Sequence, residues 1–357
     1  MRLQNTPWLA IVATLLLLPN QQSAATDSVP IRARLEAVLH TNARRYLKVG
    51  THTPWQIFHG ILAYGGQYTI LDRNDRAITA VSYILSRGGL DGTRLFEPTP
   101  YGLRVVQTGT TEGHPNQFLA ILALSNVPLD APIVVDKLRY QVHHLLTNAQ
   151  YEYYTGQEAS WSLIAFTTYL PLDSRWRNKY DDVVSIEGIV DYEVRLATEY
   201  APCGGTHNLF ALAYALDRFR SQHPETQLTG VWSRADDKLR RYAELTRAYQ
   251  NADGSFSTLF YNGRGLGDDP ETIMYSTGHT LEWLSVYLSD QELRSAWVEN
   301  AVLRLCQAFE QTATAPLKCG PMYHALHGLK LYYERRFGEV QVVGGNGHTA
   351  KRHRLAP

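Results

Sequence analysis

Basic charge, cysteine and long apolar runs are all scarce in this sequence. Its 34 Lys and Arg balance 34 Asp and Glu, and its one basic run, 351–354, lies in a polar tail. A nucleic-acid partner is therefore not expected, because such proteins present a basic surface. The only long apolar run, 8–18, is shorter than the roughly 20 residues that span a bilayer. The G-x-S-x-G and P-loop motifs are missing, so a nucleophile elbow and a phosphate cradle have no support.

The short apolar run belongs to an N-terminus that has the features of a signal peptide. Arg2 precedes the run and Pro19 ends it, and small residues at Ser23 and Ala25 suit cleavage after Ala25. We therefore predict a signal peptide at 1–25 and a secreted or periplasmic protein with no stable membrane span. The mature chain is predicted to form one domain over 26–337, followed by a poorly ordered polar and basic tail at 338–357.

Three cysteines, Cys203, Cys306 and Cys319, remain in the mature chain. Exported proteins usually pair their cysteines, but three cannot all pair within one chain. A Cys203–Cys319 disulfide with Cys306 buried is one interpretation. A metal site using Cys203 and Cys319 is a second, and separate free thiols are a third.

Six apolar helical segments alternate with six more polar ones. The apolar segments carry small, capping or polar residues at their starts and are apolar on nearly every side, which is typical of buried helices. The preceding segments show apolar residues at three- and four-residue spacing, which predicts one buried stripe. The apolar segments are 53–65, 113–125, 158–170, 205–219, 278–290 and 320–337, and the polar ones are 29–49, 78–88, 132–150, 184–200, 233–250 and 291–311.

This alternation predicts an all-α fold, an (α/α)6 toroid of six outer–inner helix pairs. Repeated helix pairs bury their apolar faces by stacking on neighbours. The inner segments start at uneven intervals, which favours a closed ring with elaborated loops over an open solenoid. The long loops 89–112 and 251–277 run into inner-helix starts, so we expect a functional site at that end.

One short segment resembles a motif of the α/α-toroid superfamily of terpenoid cyclases and protein prenyltransferases. Gln250–Phe256 resembles the Q-x-x-D-G-S-W segment of those proteins, with Phe256 in place of Trp. The resemblance implies the toroid fold, with Gln250 tying an outer helix end to the next loop and the aromatic ring packing beneath. It does not imply cyclase chemistry, because there is no D-x-D-D run. Lanthionine-forming cyclases, with a similar toroid, have a zinc-binding Cys followed directly by His, whereas Gly320 follows Cys319 here.

Histidines recur near the starts of five of the six inner segments: His59, His114, His207, His279 and His324. Inner-helix starts in a ring converge on one end, so these residues are predicted to lie close together. Histidine titrates near neutral pH and is the commonest metal ligand. The alternative is that each histidine caps or packs its own helix.

The predicted catalytic set combines these histidines with nearby carboxylates. Glu282 follows His279 by three residues, so both can share one helix face. Zinc takes thiolate and imidazole ligands, and it is the one cofactor that the sequence suggests. The predicted catalytic residues are Glu112, His114, Glu158, His207, His279, Glu282 and His324, and the predicted metal ligands are Cys203, His279 and Cys319.

Aromatic and amide side chains at similar depth are predicted to bind substrate. An apolar cavity with a few convergent polar groups is the usual form of a small-molecule site. The sequence thus predicts an exported toroid enzyme acting on a small molecule or a glycan; a carbohydrate-active hydrolase or polysaccharide lyase and a non-catalytic scaffold are the alternatives. The predicted substrate contacts are Trp55, His59, Gln117, Trp161, Asn208, Trp283 and Tyr323.

Overall fold

The computed structural model describes residues 30–340 and is mostly helical. The predicted signal peptide and most of the predicted tail lie outside these residues. Within them, no helix has both the length and the apolar character that crossing a membrane requires. Twelve α-helices occur in the described part: α1 (Ile31–Ala43), α2 (Pro54–Tyr64), α3 (Ala80–Arg87), α4 (Gln117–Leu124), α5 (Val142–Glu152), α6 (Ser160–Tyr169), α7 (Ile186–Arg195), α8 (Thr206–Gln222), α9 (Gly230–Tyr249), α10 (Pro270–Tyr287), α11 (Ala296–Gln311) and α12 (Cys319–Phe337).

The even-numbered helices form the core, as their all-round apolar sequences predict. Along the chain each packs on the next, α2 on α4, α4 on α6, α6 on α8, α8 on α10 and α10 on α12, and α12 also packs on α2. Each odd-numbered helix packs on one or more of them: α1 on α12, α3 on α2, α5 on α4 and α6, α7 on α6 and α8, α9 on α8, and α11 on α10. The predicted mainly helical class and the alternation of buried and half-exposed helices are confirmed.

Five small antiparallel strand pairs correct the expectation that the domain is purely α-helical. The segment 132–150, predicted as one helix, begins as a hairpin, and α5 starts only at Val142. Ile133, Val134 and Val135 favour an extended chain, and Asp136 and Lys137 make the turn with φ of 48° and 68°. The strand pairs are β1 (Thr69–Leu71) with β2 (Ala77–Thr79), β3 (Gly89–Leu90) with β4 (Thr93–Arg94), β5 (Phe96–Thr99) with β6 (Gly102–Val105), β7 (Pro132–Val135) with β8 (Leu138–Gln141), and β9 (Arg175–Arg177) with β10 (Val183–Ser185).

Helix α10 starts eight residues earlier than the sequence pattern predicted. Asp269 caps it by accepting a hydrogen bond from the Thr272 N–H at 3.0 Å, and Pro270 occupies its first position, where a missing N–H costs nothing. The predicted loop 251–277 therefore ends in two helical turns. As a consequence His279 lies in the third turn of α10 and not in its first.

Helices α10 and α12 approach so closely that a glycine is required between them. A Cβ atom added to Gly278 would lie 2.6 Å from the Cα of Ala325. This close approach brings His279, next in the chain, near α12.

The segment Gln250–Phe256 links the end of one outer helix to the start of the next. The Gln250 side-chain amide donates to the carbonyl oxygens of Trp297 at 2.7 Å and Gly254 at 2.8 Å, so it ties the end of α9 to the start of α11. Phe256 is buried below this link and lies 5.9 Å from the Trp297 ring.

Candidate active site

Five imidazoles from five different parts of the chain lie against one another, and we call them the histidine cluster: His59, His114, His207, His279 and His324. The ring centroids of His279 and His324 are 3.8 Å apart, and His207 lies 5.8 Å and 5.7 Å from them. His114 is 4.7 Å from His207, and His59 is 5.2 Å from His324. The structure thus brings together all five histidines that the sequence placed near inner-helix starts.

Backbone carbonyls fix the tautomer of two histidines in this cluster. Nδ1 of His279 lies 2.8 Å from the carbonyl oxygen of Tyr275, and Nδ1 of His59 lies 2.7 Å from that of Trp55. A carbonyl oxygen only accepts, so each Nδ1 carries the hydrogen and each Nε2 keeps its lone pair. Burial lowers the pKa of His59 to about 4, so its imidazole is neutral at pH 7.

A buried carboxylate holds two further imidazoles. Glu282 on α10 lies 2.9 Å and 3.0 Å from Nδ1 of His324 and 2.7 Å from Nδ1 of His327. Burial opposes its charge, but interactions with these two histidines outweigh that effect and hold its pKa below the usual value. Burial lowers the pKa of His324 to about 3, which leaves it neutral with Nε2 free. The sequence analysis gave His327 no role, although its spacing from His324 places both on one face of α12.

A second carboxylate, Glu158, lies between His114 and His207. Its Oε2 is 2.7 Å from Nδ1 of His114, and its Oε1 is 3.8 Å from Nδ1 of His207. Burial raises the pKa of Glu158, but interactions with these two imidazoles outweigh that effect and lower it to about 2. Glu158 is therefore ionised and able to orient both rings.

The thiol of Cys203 lies among these imidazoles. It is half-buried, and its sulfur lies within 4.8 Å of ring nitrogens of His114 and His207. Burial disfavours the thiolate, but interactions with His207, His114 and His279 outweigh that effect and lower the pKa of Cys203. Conversely, burial disfavours the protonated form of His207, but Cys203 and Glu158 raise the His207 pKa.

His207 has the least satisfied side chain of the cluster. It is 3% exposed, and neither of its ring nitrogens has a hydrogen-bond partner within the normal distance among the described residues. Buried polar groups without partners are rare and indicate a bound ion, a water or a functional role. Ligand atoms of His207, His279 and His324 all lie within 4.8 Å of one another, as do those of His114, Cys203 and His207.

Cys319, a predicted metal ligand, belongs to neither of these two groups in the described part of the chain. It is buried at the start of α12, where its thiol contacts Gln56, and burial raises its pKa. All three cysteines are free, so of the three interpretations left open by the sequence the Cys203–Cys319 disulfide is wrong. The Gly-Gly turn after Cys203 directs the chain into α8, and Cys203 meets histidines there instead of Cys319.

Glu112, another predicted catalytic group, contacts the start of α4. Its Oε1 accepts a hydrogen bond from the Phe118 N–H at 2.7 Å. Burial raises its pKa to about 8 against the opposing effect of that bond, so the carboxyl group is neutral at pH 7. Nearby, the Gln117 side-chain oxygen accepts from the Gly113 N–H at 3.2 Å, which connects the same loop to α4.

The predicted substrate contacts are mostly buried, which excludes an open groove floored by these aromatic residues. Trp161, Trp283 and Tyr323 are at most 1% exposed. Trp283 donates to the Tyr261 hydroxyl at 3.0 Å, and Tyr323 bonds to the Tyr68 hydroxyl at 2.7 Å. Such hydrogen-bonded aromatic side chains pack the core.

Of two other predicted substrate contacts, Asn208 is buried in the core and Trp55 is partly exposed to solvent. The Asn208 amide donates to Glu193 at 2.6 Å, inside the core. Trp55 is half-buried, with its ring centroid 4.0 Å from that of His59. Trp55 is therefore the predicted aromatic contact that solvent reaches.

Comparisons with known proteins leave the family of this chain open. No family model, curated protein or solved structure matches it. The resemblance to toroid proteins thus stays an expectation, and the function has to be argued from the chemistry of the histidine cluster.

Proposed function

We propose that this chain is an exported enzyme with an α/α-toroid fold and a zinc centre formed by His207, His279 and His324. Its site is a chamber lined by histidine, cysteine and glutamate at the N-terminal side of the inner helices. Its substrate is a small molecule, and the bound metal assists the reaction.

The toroid part of this proposal is supported by the order of helix contacts. The even-numbered helices pack in chain order, and α12 packs on α2, so the last member of the series meets the first. Each odd-numbered helix packs on one or more of these six and buries one stripe of apolar residues. A closed inner ring inside an outer ring accounts for both sets of contacts.

The metal part rests on one observation above all, the convergence of ring nitrogens of His207, His279 and His324 to within 4.8 Å of one another. His279 and His324 commit Nδ1 to an acceptor, which is the arrangement that metal-binding histidines almost always adopt. Neither nitrogen of His207 has a hydrogen-bond partner in the described part of the chain. The three side chains come from α8, α10 and α12, and α10 packs on both of the others, so their positions are held by the core.

The chemistry of the donor set favours zinc with an open position. Three protein ligands are typical of catalytic zinc, which lowers the pKa of a bound water to about 7. Imidazole ligands carry no negative charge to offset the ion's two positive charges, and the carboxylates Glu282 and Glu158 lie next to His324 and His207. Glu158 with His114 is also placed to exchange a proton in the chamber.

Two other functions predicted from the sequence fit the site less well. A carbohydrate-active enzyme with an aromatic groove would need exposed rings, and Trp161 and Trp283 are buried. A non-catalytic scaffold would keep its histidines separate and individually hydrogen-bonded, whereas His207 has no hydrogen-bond partner among the described residues and contacts three other imidazoles.

Elemental analysis of the purified mature protein tests the proposal. After loading with zinc and dialysis, we expect one bound zinc per chain in the wild type. His279→Ala and His324→Ala should lose it. His223→Ala is the matched control, because exposed His223 also bonds a backbone carbonyl through Nδ1, that of Phe219 at 3.1 Å. Absence of zinc from the folded wild type, or full retention by both cluster variants, would refute the metal centre.

A further inference from the structure

We infer that Cys203 is a catalytic nucleophile for acyl transfer, with His114 as its general base and Glu158 as the residue that positions His114. The substrate class is an ester or thioester with an accessible carbonyl group. This inference goes beyond the metal centre and assigns the reaction to Cys203, His114 and Glu158, none of which is a ligand of the proposed zinc, so either proposal can fail alone.

The first support is the arrangement of Glu158, His114 and Cys203 in a row. Glu158 accepts a hydrogen bond from Nδ1 of His114 at 2.7 Å, and a ring nitrogen of His114 lies within 4.8 Å of the Cys203 sulfur. With Nδ1 bound to the carboxylate, Nε2 is the nitrogen left to take the thiol proton. A nucleophile bonded to a base that is oriented by a third group is the recurring geometry of nucleophilic catalysis.

The second support is the backbone at Cys203. Its φ and ψ of 52° and 44° are left-handed, and Gly204 and Gly205 follow with positive φ. A left-handed non-glycine residue costs about 1–3 kcal/mol and persists where the surroundings impose it, often at functional sites. A Cβ on Gly204 would lie 2.2 Å from the Phe260 ring, so the turn after Cys203 is tightly packed.

The third support is the environment on the other side of the thiol. Helix α8, of 17 residues, begins at Thr206, three residues after Cys203. A helix N-terminus carries partial positive charge and stabilises an anion such as a tetrahedral intermediate. In the metal-free protein, a ring nitrogen of buried His207 lies within 4.8 Å of the same thiol and can donate to a developing oxyanion, because neither nitrogen has a hydrogen-bond partner within the normal distance in the described structure.

Access separates Cys203 from the other two cysteines. Cys203 is half-buried, whereas Cys306 is 0% and Cys319 is 7% exposed. Cys306 lies on α11 and Cys319 at the start of α12, and neither belongs to the Cys203–His114–Glu158 chain. They are therefore matched internal controls for reactions of a thiol.

The reaction balances with water as the only co-reactant. His114 takes the thiol proton, and the sulfur attacks the carbonyl carbon of the ester. The C–S bond forms, the bond to the leaving oxygen or sulfur breaks, and His114 returns the proton to the leaving group. His114 then takes a proton from water, and the water oxygen attacks the carbonyl carbon of the thioester. The C–S bond breaks, His114 returns the proton to the sulfur, and the carboxylic acid leaves.

Acetylation by p-nitrophenyl acetate tests this inference on the full mature chain, both metal-free and zinc-loaded. We expect a burst of p-nitrophenolate equal to the protein concentration, with the acetyl group mapped to Cys203 by peptide mass spectrometry. Cys203→Ser should lose the thioester, and Cys306→Ser and Cys319→Ser should retain it. His114→Gln should slow acetylation by about 100-fold, the lower range for general base catalysis.

Glu158 is tested as a positioning residue. Glu158→Gln should slow acetylation about 10-fold or more with an unchanged circular dichroism spectrum, and Glu158→Asp should recover part of the rate, as expected when the carboxylate sets the tautomer of His114. The inference is overturned if the wild type is acetylated only elsewhere, or if His114→Gln reacts as fast as the wild type. The wild-type mapping stands without variants, so a variant that does not fold leaves the test intact.

Discussion

At the scale of single residues, what separates one buried imidazole from another is the acceptor that binds Nδ1. Nδ1 of His279 donates to a backbone carbonyl, and Nδ1 of His324 donates to a carboxylate. Nδ1 of His207 has no acceptor within the normal hydrogen-bond distance in the described structure. These acceptors decide which nitrogen is free, and hence whether a ring can bind a metal or take a proton. The hydrogen-bond partners therefore matter as much as the ring positions.

Replacing Glu282 tests the contribution of such an acceptor. Glu282→Gln cannot accept from both His324 and His327 as a carboxylate does, so we predict zinc affinity about 10- to 100-fold weaker. Competition with a chromogenic chelator measures this affinity. Glu225→Gln, at an exposed position after α8, is the control and should match the wild type. Equal affinity in all three proteins would show that Glu282 does not support the metal site.

Glu112 predicts a distinct pH dependence of stability. Its pKa is raised from 4.5 to about 8 by burial, so between these values the folded state holds a proton that the unfolded chain releases. The free energy of unfolding should therefore fall as pH rises, by up to about 1.4 kcal/mol per pH unit. Glu112→Gln lacks this proton, so its stability relative to the wild type should improve from about pH 5 to about pH 8. Parallel urea-denaturation profiles for the two proteins would contradict the assignment.

Residue type and position were enough to find much of the site. The recurrence of histidine near inner-helix starts predicted the cluster, and Glu158 and Glu282 were predicted as its carboxylates. The sequence could not reveal that Glu282 holds both His324 and His327, because that depends on side-chain directions between α10 and α12. It also placed Cys319 with Cys203, although only the Cys203 thiol reaches the imidazoles.

At the scale of elements, hydrophobic periodicity predicted the helices well and the strands poorly. All six inner and six outer segments contain a helix, because sustained three- and four-residue spacing is a strong pattern. The strands have two to four residues each, which is too few to show the alternation of apolar and polar residues that predicts a strand. The start of α10 was missed because the Asp269–Pro270 cap lies before a turn of mixed polarity that looked like loop.

The close contact of α10 with α12 gives a prediction at this scale. In Gly278→Ala the added Cβ would lie 2.6 Å from the backbone of Ala325, which cannot rotate away as a side chain can. We expect a loss of about 1–3 kcal/mol in the free energy of unfolding, despite the better helix propensity of alanine. Gly109→Ala, where no atom lies within 4 Å of the added Cβ, is the control. Urea denaturation measures both, and equal stability would mean that the two helices separate easily.

At the scale of the whole molecule, contacts of α12 with α1 and α2 bring distant parts of the chain together. Helix α1, near the start of the described residues, packs on α11 and α12, and α2 packs on α12. His59 near the start and His324 near the end meet for this reason, 5.2 Å apart. The sequence predicted the meeting of these two histidines from the recurrence of histidine near inner-helix starts, without any long-range contact being visible in it.

Export is the other prediction that concerns the whole chain. Residues 1–25 lie outside the described part, and their pattern predicts cleavage after Ala25. Expression of the full-length gene in a bacterial host with an export pathway should give a protein that starts at Thr26, as read by N-terminal sequencing. A product that keeps Met1 or Arg2 and sediments with membranes would contradict a cleaved signal peptide.

Whether the histidine cluster binds zinc can be read from anomalous X-ray diffraction by crystals of the zinc-loaded mature protein, recorded on both sides of the zinc absorption edge. We predict one strong peak bonded to the imidazole nitrogens of His207, His279 and His324, at about 2.0–2.1 Å. A map with no peak in the histidine cluster, or with zinc only at surface histidines, would contradict the proposed metal centre.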